Sequence, residues 1–255
     1  MADYTTVTET SNLKASREQV SMLYTRYRFA ADYCLGKAVL EVACGAGQGL
    51  GYLAKTAKRV IGGDYTEDLL KSAQRYYRGR VPFIHLDGHA LPFRTSSFDV
   101  VVLFEAIYYF AKPDLILKEC RRVLRKNGVL LLCTVNKEWL DFNPSPFSVR
   151  YFTAQELFDL LHQHRFQVQL SGAFPASVET MKDAIVSFLK RAAITLDLMP
   201  KTMNGKELLK RMFLGPLQAL PPEVFDGMAS YCFPVRISEK DKASNFKILF
   251  AVATI

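Results

Sequence analysis

Val39-Leu40-Glu41-Val42-Ala43-Cys44-Gly45-Ala46-Gly47-Gln48-Gly49 reads as an apolar strand running into a glycine-rich turn that opens a helix. Such a turn brings backbone close to a ligand, because Gly45, Gly47 and Gly49 carry no Cβ. By itself it indicates a ligand with a nucleotide part and does not name it. The nicotinamide fingerprint is G-x-G-x-x-G. Here its last position falls on Leu50 counted from Gly45, or on Tyr52 counted from Gly47, so neither frame fits. An acidic residue, Glu41, stands inside the strand just before the turn.

On either side of this stretch, strand and helix patterns alternate. Ser16 with Gln19 has capping-box spacing and opens a helix to Cys34, with Val20, Leu23, Tyr24, Tyr27 and Ala31 on one face. Ala38 to Ala43 is a buried-strand pattern followed by a helix through Leu53, and Arg59 to Gly62 is a strand followed by a helix over Thr66 to Tyr77. Val81 to Leu86 and the continuous apolar run Phe98 to Phe104 are further strands. Pro113 to Arg125 is an amphipathic helix that Asn127-Gly128 is expected to close as a C-cap. Val129 to Val135 is the fifth strand, Thr153 to His164 a helix with Thr153 and Glu156 at capping-box spacing, and Phe166 to Gly172 the sixth strand. This order predicts an α/β fold: a doubly wound, mostly parallel seven-stranded sheet with helices on both faces.

The alternation then stops. Val178 to Tyr231 reads as largely helical, with one apolar stripe over Ile185, Phe188, Leu189, Ala192, Leu196 and Met199. A strand pattern returns at Phe246 to Ala253, expected as a final, antiparallel edge strand. The predicted organisation is an N-terminal helical segment (1–35), a ligand-binding core (36–175), a helical insertion (176–244) and the last core strand (245–255). A parallel sixth strand ends on the carboxyl edge, where doubly wound sheets bind ligands. The insertion is therefore expected to emerge beside the site as a lid. Its methionines (Met181, Met199, Met203, Met212) point to a bulky or partly apolar ligand under it.

Four further segments make a set with the glycine turn. Gly62-Gly63-Asp64-Tyr65 closes the second strand, and Leu86-Asp87-Gly88-His89-Ala90-Leu91-Pro92-Phe93 follows the third. Phe98-Asp99-Val100-Val101-Val102 begins the fourth, and Arg122-Val123-Leu124-Arg125-Lys126-Asn127-Gly128 precedes the fifth. Together, over residues 36 to 175, they resemble the class I, Rossmann-like S-adenosylmethionine-dependent methyltransferases, in the small-molecule "methyltransferase type 11" branch. The resemblance implies S-adenosylmethionine as cofactor and S-adenosylhomocysteine as product. It implies that Asp64 holds the ribose hydroxyls, that Asp87 contacts the adenine amino group and that Glu41 acts near the methionine amino group. Ala43, Gly45, Gly47, Tyr65, Gly88, His89 and Phe104 complete the implied cofactor site. Without the resemblance, Asp64 reads equally well as a helix cap and Asp87 as an Asx-turn residue. Tyr27, like Tyr24, either closes over the cofactor or packs as helix core.

At the reacting end, Phe104-Glu105-Ala106-Ile107-Tyr108-Tyr109-Phe110 follows the fourth strand. Tyr108 and Tyr109 stand where relatives often carry a catalytic or orienting His. With an ordinary pKa of about 10, a phenol orients an acceptor more readily than it deprotonates one; the alternative is packing under the lid. The N/D-P-P-Y/F motif of nucleic-acid and protein amide methyltransferases is absent, and no acidic cluster has the spacing of a catechol-type metal site. No metal is implied. The expected acceptor is a small or medium organic molecule of natural-product, sugar, lipid or quinone type. The alternatives are a basic RNA methyltransferase and a non-catalytic cofactor-binding partner protein.

A net charge of +8 raises nucleic acid as a partner. The densest basic patch (Lys118, Arg121, Arg122, Arg125, Lys126) falls on one expected helix beside Glu119 and reads as a solvated face. No apolar run approaches the roughly 20 residues that span a bilayer, and the start of the chain shows no secretory pattern. The five cysteines are scattered without metal-ligand spacing. A cytoplasmic enzyme is the expectation.

Overall fold

The structure, a computed structural model, describes residues 4–6, 8–11, 13–176, 216–237 and 243–255. In chain order the elements are β1 (Lys14–Ala15), α1 (Arg17–Cys34), β2 (Ala38–Val42), α2 (Leu50–Ala54), β3 (Arg59–Asp64), α3 (Glu67–Tyr77), β4 (Phe83–His85) and β5 (Phe98–Phe104). They continue with α4 (Pro113–Val123), β6 (Leu124–Val135), α5 (Ala154–Gln163), β7 (Gln167–Pro175), β8 (Gln218–Ala219), β9 (Val235–Arg236) and β10 (Phe246–Thr254).

The local signals behave as their chemistry demands. Both capping boxes form: the Ser16 and Thr153 hydroxyls accept from the amides three residues on, and Gln19 and Glu156 return the bond. β2 and β5 are almost wholly buried, as strands sandwiched between helices must be. Side chains alternate between two cores. Val39, Val100, Val102 and Phe104 face α1 and α2, while Leu40, Val42, Val101 and Leu103 face α4 and α5. Leu40, Leu103 and Leu130 are fully buried; cutting any one to Ala costs about 2–5 kcal/mol.

The main sheet runs β4-β3-β2-β5-β6-β10-β7-β9. β2 to β6 are parallel, and β10 is antiparallel to both its neighbours. The expected seven strands are present, with the two-residue β9 added at the edge of β7. Two expectations are corrected. β10 is not an edge strand, because it pairs with β6 on one side and β7 on the other, through Phe250 with Cys133 and with Ser171. Asn127-Gly128 is not a helix C-cap. α4 ends at Val123, and Leu124 is already extended and paired with Phe98. Asn127 instead takes a left-handed φ of 62° inside β6.

The expected helical insertion lies mostly outside the described residues, including its apolar stripe. Its described part, 216–237, contains no helix. β8 pairs with β1, the Pro221 carbonyl accepts from Gln48 Nε2 at 2.8 Å, and Asp226 accepts from the Tyr52 hydroxyl at 2.6 Å. This stretch braces the outside of the glycine turn and α2. No described helix is long and apolar enough to cross a membrane.

Candidate active site

Strand order reverses between β3-β2 and β5-β6, which leaves a crevice at the carboxyl ends of β2 and β5. A cavity of about 510 Å³ opens there. Its wall takes residues from the ends of β2, β3, β4 and β5, from α1 and from the N-terminal segment.

The glycine turn bends through left-handed residues at Ala43 (φ 59°), Gly45 (φ 57°) and Gly47 (φ 76°). Ala43 and Gly45 line the cavity. Gly47 does not, contrary to expectation. A Cβ there would come within 2.8 Å of the Phe83 ring, so its lack of side chain serves packing against β4. Gly49 is needed because a Cβ would run into the Tyr27 ring. The turn is tied to β3 by Asp64, whose Oδ2 accepts from the Gly45 amide at 2.8 Å and Oδ1 from the Thr66 amide at 2.7 Å. Burial pushes this carboxyl above its ordinary range although these amides pull it down. Asp64 therefore holds the amide of Thr66, the N-cap residue of α3, without itself capping that helix, and it also faces the cavity beside Tyr65.

Glu41 is buried in the floor. The Tyr27 hydroxyl donates to its Oε1 at 2.7 Å, while its Oε2 is buried with no partner. Burial raises this carboxyl to about 8 against the pull of Tyr27 and Arg26. Tyr27 lines the cavity, edge-on to Phe104 at 5.7 Å, whereas Tyr24 packs edge-on to Tyr52 as helix core.

Asp87 forms the Asx-turn, accepting from the His89 amide at 2.9 Å and from His89 Nδ1 at 2.8 Å. Burial works to raise its carboxyl, but these His89 bonds leave it below the ordinary range. The His89 ring stands edge-on to Phe110 at 5.2 Å. A Cβ on Gly88 would meet Phe110 at 2.6 Å, so the backbone there is pressed against the wall. His85 donates from Nε2 to the Tyr65 carbonyl at 2.8 Å, outside the cavity. His164 lies against Asp114, and neither lines the cavity.

Tyr108 and Tyr109 both line the cavity, just beyond the end of β5. The Tyr108 hydroxyl donates to Glu105 Oε2 at 3.1 Å, and its ring stacks on Tyr151 with centroids 4.4 Å apart. The Tyr109 hydroxyl is 2.8 Å from Ser145 Oγ. Burial raises both phenols above their ordinary pKa, so neither serves as a base near neutral pH. Glu105 adopts a left-handed φ of 49°, which costs about 1 kcal/mol or more for a residue with a Cβ. Burial also raises its carboxyl despite the attraction of Arg26.

Sequence reading missed Arg26, Glu105 and the N-terminal segment, where Tyr4, Thr8 and Glu9 line the cavity. Tyr4 stands edge-on to Tyr109 at 5.2 Å. Arg26 left a signal: it falls on the inward face of α1 with Leu23 and Ala30, where an unpaired charge is not tolerated. The N-terminal segment left none, since its reach over the turn depends on tertiary packing.

The profile of the methyltransferase domain family matches residues 40–132. Those residues are a methyltransferase domain of the S-adenosylmethionine-dependent class. A Mycolicibacterium smegmatis protein named "Probable S-adenosylmethionine-dependent methyltransferase" is 38% identical over 149 residues, covering 56% of this chain and 57% of that protein. A Mycobacterium ulcerans protein named "Probable phthiotriol/phenolphthiotriol dimycocerosates methyltransferase 2" is 37% identical over 128 residues, covering 46% and 48%. The matches thus span about half the length of these relatives. A solved S-adenosylmethionine-dependent methyltransferase from Thermotoga maritima shares the fold, with a TM-score of 0.59, 15% identity and coverage of 93% of this chain and 91% of its own. S-adenosylmethionine is the cofactor of this domain class. The residues present suit it: a floor carboxylate with a free oxygen for an ammonium, a second carboxylate beside Tyr65 for a diol, and a backbone ledge at Gly88 for a planar base.

Proposed function

We propose that this protein transfers the methyl group of S-adenosylmethionine to a small or medium organic acceptor, with residues 36–175 and 245–255 as the cofactor-binding core. The observation that carries the reading is the unpartnered Glu41 Oε2 in the cavity floor, within a wall shared by Asp64 and Asp87. Glu41 with Tyr27 would take the amino group, Asp64 and Tyr65 the ribose, and Asp87, Gly88 and His89 the adenine, while Phe104 walls one side. What the bound cofactor supplies is a methyl group activated by its sulfonium, open to in-line displacement.

The remaining residues position the acceptor and exclude water. Tyr4, Tyr108 and Tyr109, in mutual ring contact, make the acceptor end predominantly aromatic. The Tyr108 hydroxyl, fixed by Glu105, and the Tyr109 hydroxyl, fixed by Ser145, orient rather than deprotonate. The relative named for phthiotriol dimycocerosates supports a lipid-like acceptor over a macromolecular one. So does the basic patch, which is largely engaged within the chain. Arg122 bonds Glu119 and the Leu91 and Phe93 carbonyls, Arg121 the Arg165 carbonyl, and Arg125 Asp99.

The test is calorimetry with S-adenosylhomocysteine, followed by methyl-labelled cofactor incubated with lipid extract and with RNA. Cofactor binding and label in the organic-soluble fraction are expected. An absence of binding, or label confined to RNA, overturns the proposal.

A further inference from the structure

Arg26 is the one lysine or arginine among the described residues lining the cavity, against five carboxyls: Glu9, Glu41, Asp64, Asp87 and Glu105. Its side chain is only 8% exposed. A buried guanidinium is tolerated only when its donors are answered, and here they are answered unevenly. Nη2 bonds Glu9, Nη1 lies 3.7 Å from Glu105 Oε1, and Nε is buried with no partner. Burial works against the charge, but Glu9 and then Glu105 hold the group above its ordinary pKa.

The two carboxylates differ in kind. Glu105 belongs to the end of β5 and is fixed by Tyr108 and by the Cys133 thiol. Glu9 belongs to the N-terminal segment, and its side chain is 39% exposed. The same segment lays the Thr8 methyl over the glycine turn, 2.7 Å from where a Cβ on Gly45 would sit. It is thus placed across the cofactor half of the cavity.

Tyr27, the next residue on α1, holds Glu41, the group suited to an ammonium. Arg26 and Tyr27 therefore present, side by side, partners for both charges of an amino acid. The structure already shows a carboxylate on Arg26, and that carboxylate is the protein's own. We propose that Arg26 binds the α-carboxylate of the cofactor's amino-acid end, and that Glu9 is an internal stand-in that must leave Arg26 for the cofactor to bind. Cofactor entry is then coupled to release of the Glu9 side chain from Arg26, while Glu105 keeps Arg26 in place. This inference rests on the cofactor reading above.

The test compares two ligands by calorimetry on the full chain: S-adenosylhomocysteine, and 5′-methylthioadenosine, which keeps the nucleoside thioether and lacks the amino-acid end. Glu9→Gln removes the competing charge at a half-exposed position. It should tighten S-adenosylhomocysteine at least about threefold and leave methylthioadenosine unchanged. Arg26→Gln should weaken S-adenosylhomocysteine about tenfold or more, the worth of one charge-assisted bond, and methylthioadenosine less than about twofold. Arg26→Lys should fall between. Equal weakening of both ligands in Arg26→Gln would mark a purely structural pair and overturn the proposal. So would Glu9→Gln with unchanged or weaker S-adenosylhomocysteine binding, a result readable even where Arg26→Gln fails to fold. Wild-type protein that binds neither ligand removes the cofactor reading itself. Wild type that binds both within about twofold overturns only the role given to the carboxylate.

Discussion

Tyr27→Phe removes one oxygen and keeps the ring that packs on Phe104 and Gly49. Its effect falls on Glu41, whose Oε2 is already without a partner and whose Oε1 then loses the Tyr27 hydroxyl. The folded carboxyl sits at about 8, against an ordinary 4.5. Between those values the folded chain holds a proton that the unfolded chain has released, so burying Glu41 erodes stability as pH climbs through that window. The erosion is complete above about 8. Without the phenol the folded value rises further and the window extends upward. At pH 6 Glu41 is neutral and the substitution removes a neutral bond, about 1 kcal/mol; at pH 9 it removes a bond to a charge, about 1.5–3 kcal/mol. At about 2–4 °C per kcal/mol for a chain of this size, Tm should fall about 2–4 °C at pH 6 and about 3–12 °C at pH 9. Thermal melts of wild type and variant at both pH values measure the difference directly. An equal loss at the two pH values, or none at pH 9, would refute this account of the Glu41–Tyr27 pair.

Three further outcomes follow from the same geometry. Binding of S-adenosylhomocysteine at pH 7, measured by calorimetry in buffers of different ionisation enthalpy, should release a proton from Glu41, because the free carboxyl is largely protonated below about 8 and the ionised form pairs with the ammonium. Affinity should therefore rise as pH approaches 8, and Glu41→Gln should abolish this release. Asp64→Asn should weaken cofactor binding about tenfold or more, since an amide nitrogen cannot accept from the Gly45 amide or a ribose hydroxyl; unchanged affinity contradicts the assignment. Tyr109→Phe frees Ser145 and should lower turnover about fivefold while leaving cofactor affinity unchanged. A matching loss of cofactor affinity would move Tyr109 out of the acceptor end.

Much of the core was legible because its causes are local. The apolar run of β5 ends where the structure ends it, at Phe98 and Phe104, and the two capping boxes close within three residues of their hydroxyls. Two of the misread features were decided by distant strands. Leu124 leaves the helix because Phe98 offers it a strand partner, and β10 is interior because β6 and β7 leave a slot between them. The site divides in the same way. Glu41, Asp64, Asp87, Tyr108 and Tyr109 were found through the resemblance, whose motifs fall at or near strand ends that the hydrophobic pattern marks, and all of them line the cavity. Gly47 obeyed the same spacing and yet faces Phe83, because spacing does not say which side of a turn a residue presents.

The sequence by itself determined the alternation of elements, the glycine turn and the acids that follow it, since each depends on chemistry within a few residues. Tertiary structure alone decided the cluster of charge around Arg26 in the cavity wall. Arg26, Glu9 and Glu105 are brought together from α1, the N-terminal segment and the end of β5. No periodicity or spacing carries that meeting, because Coulomb attraction acts on distance in space and is blind to distance along the chain.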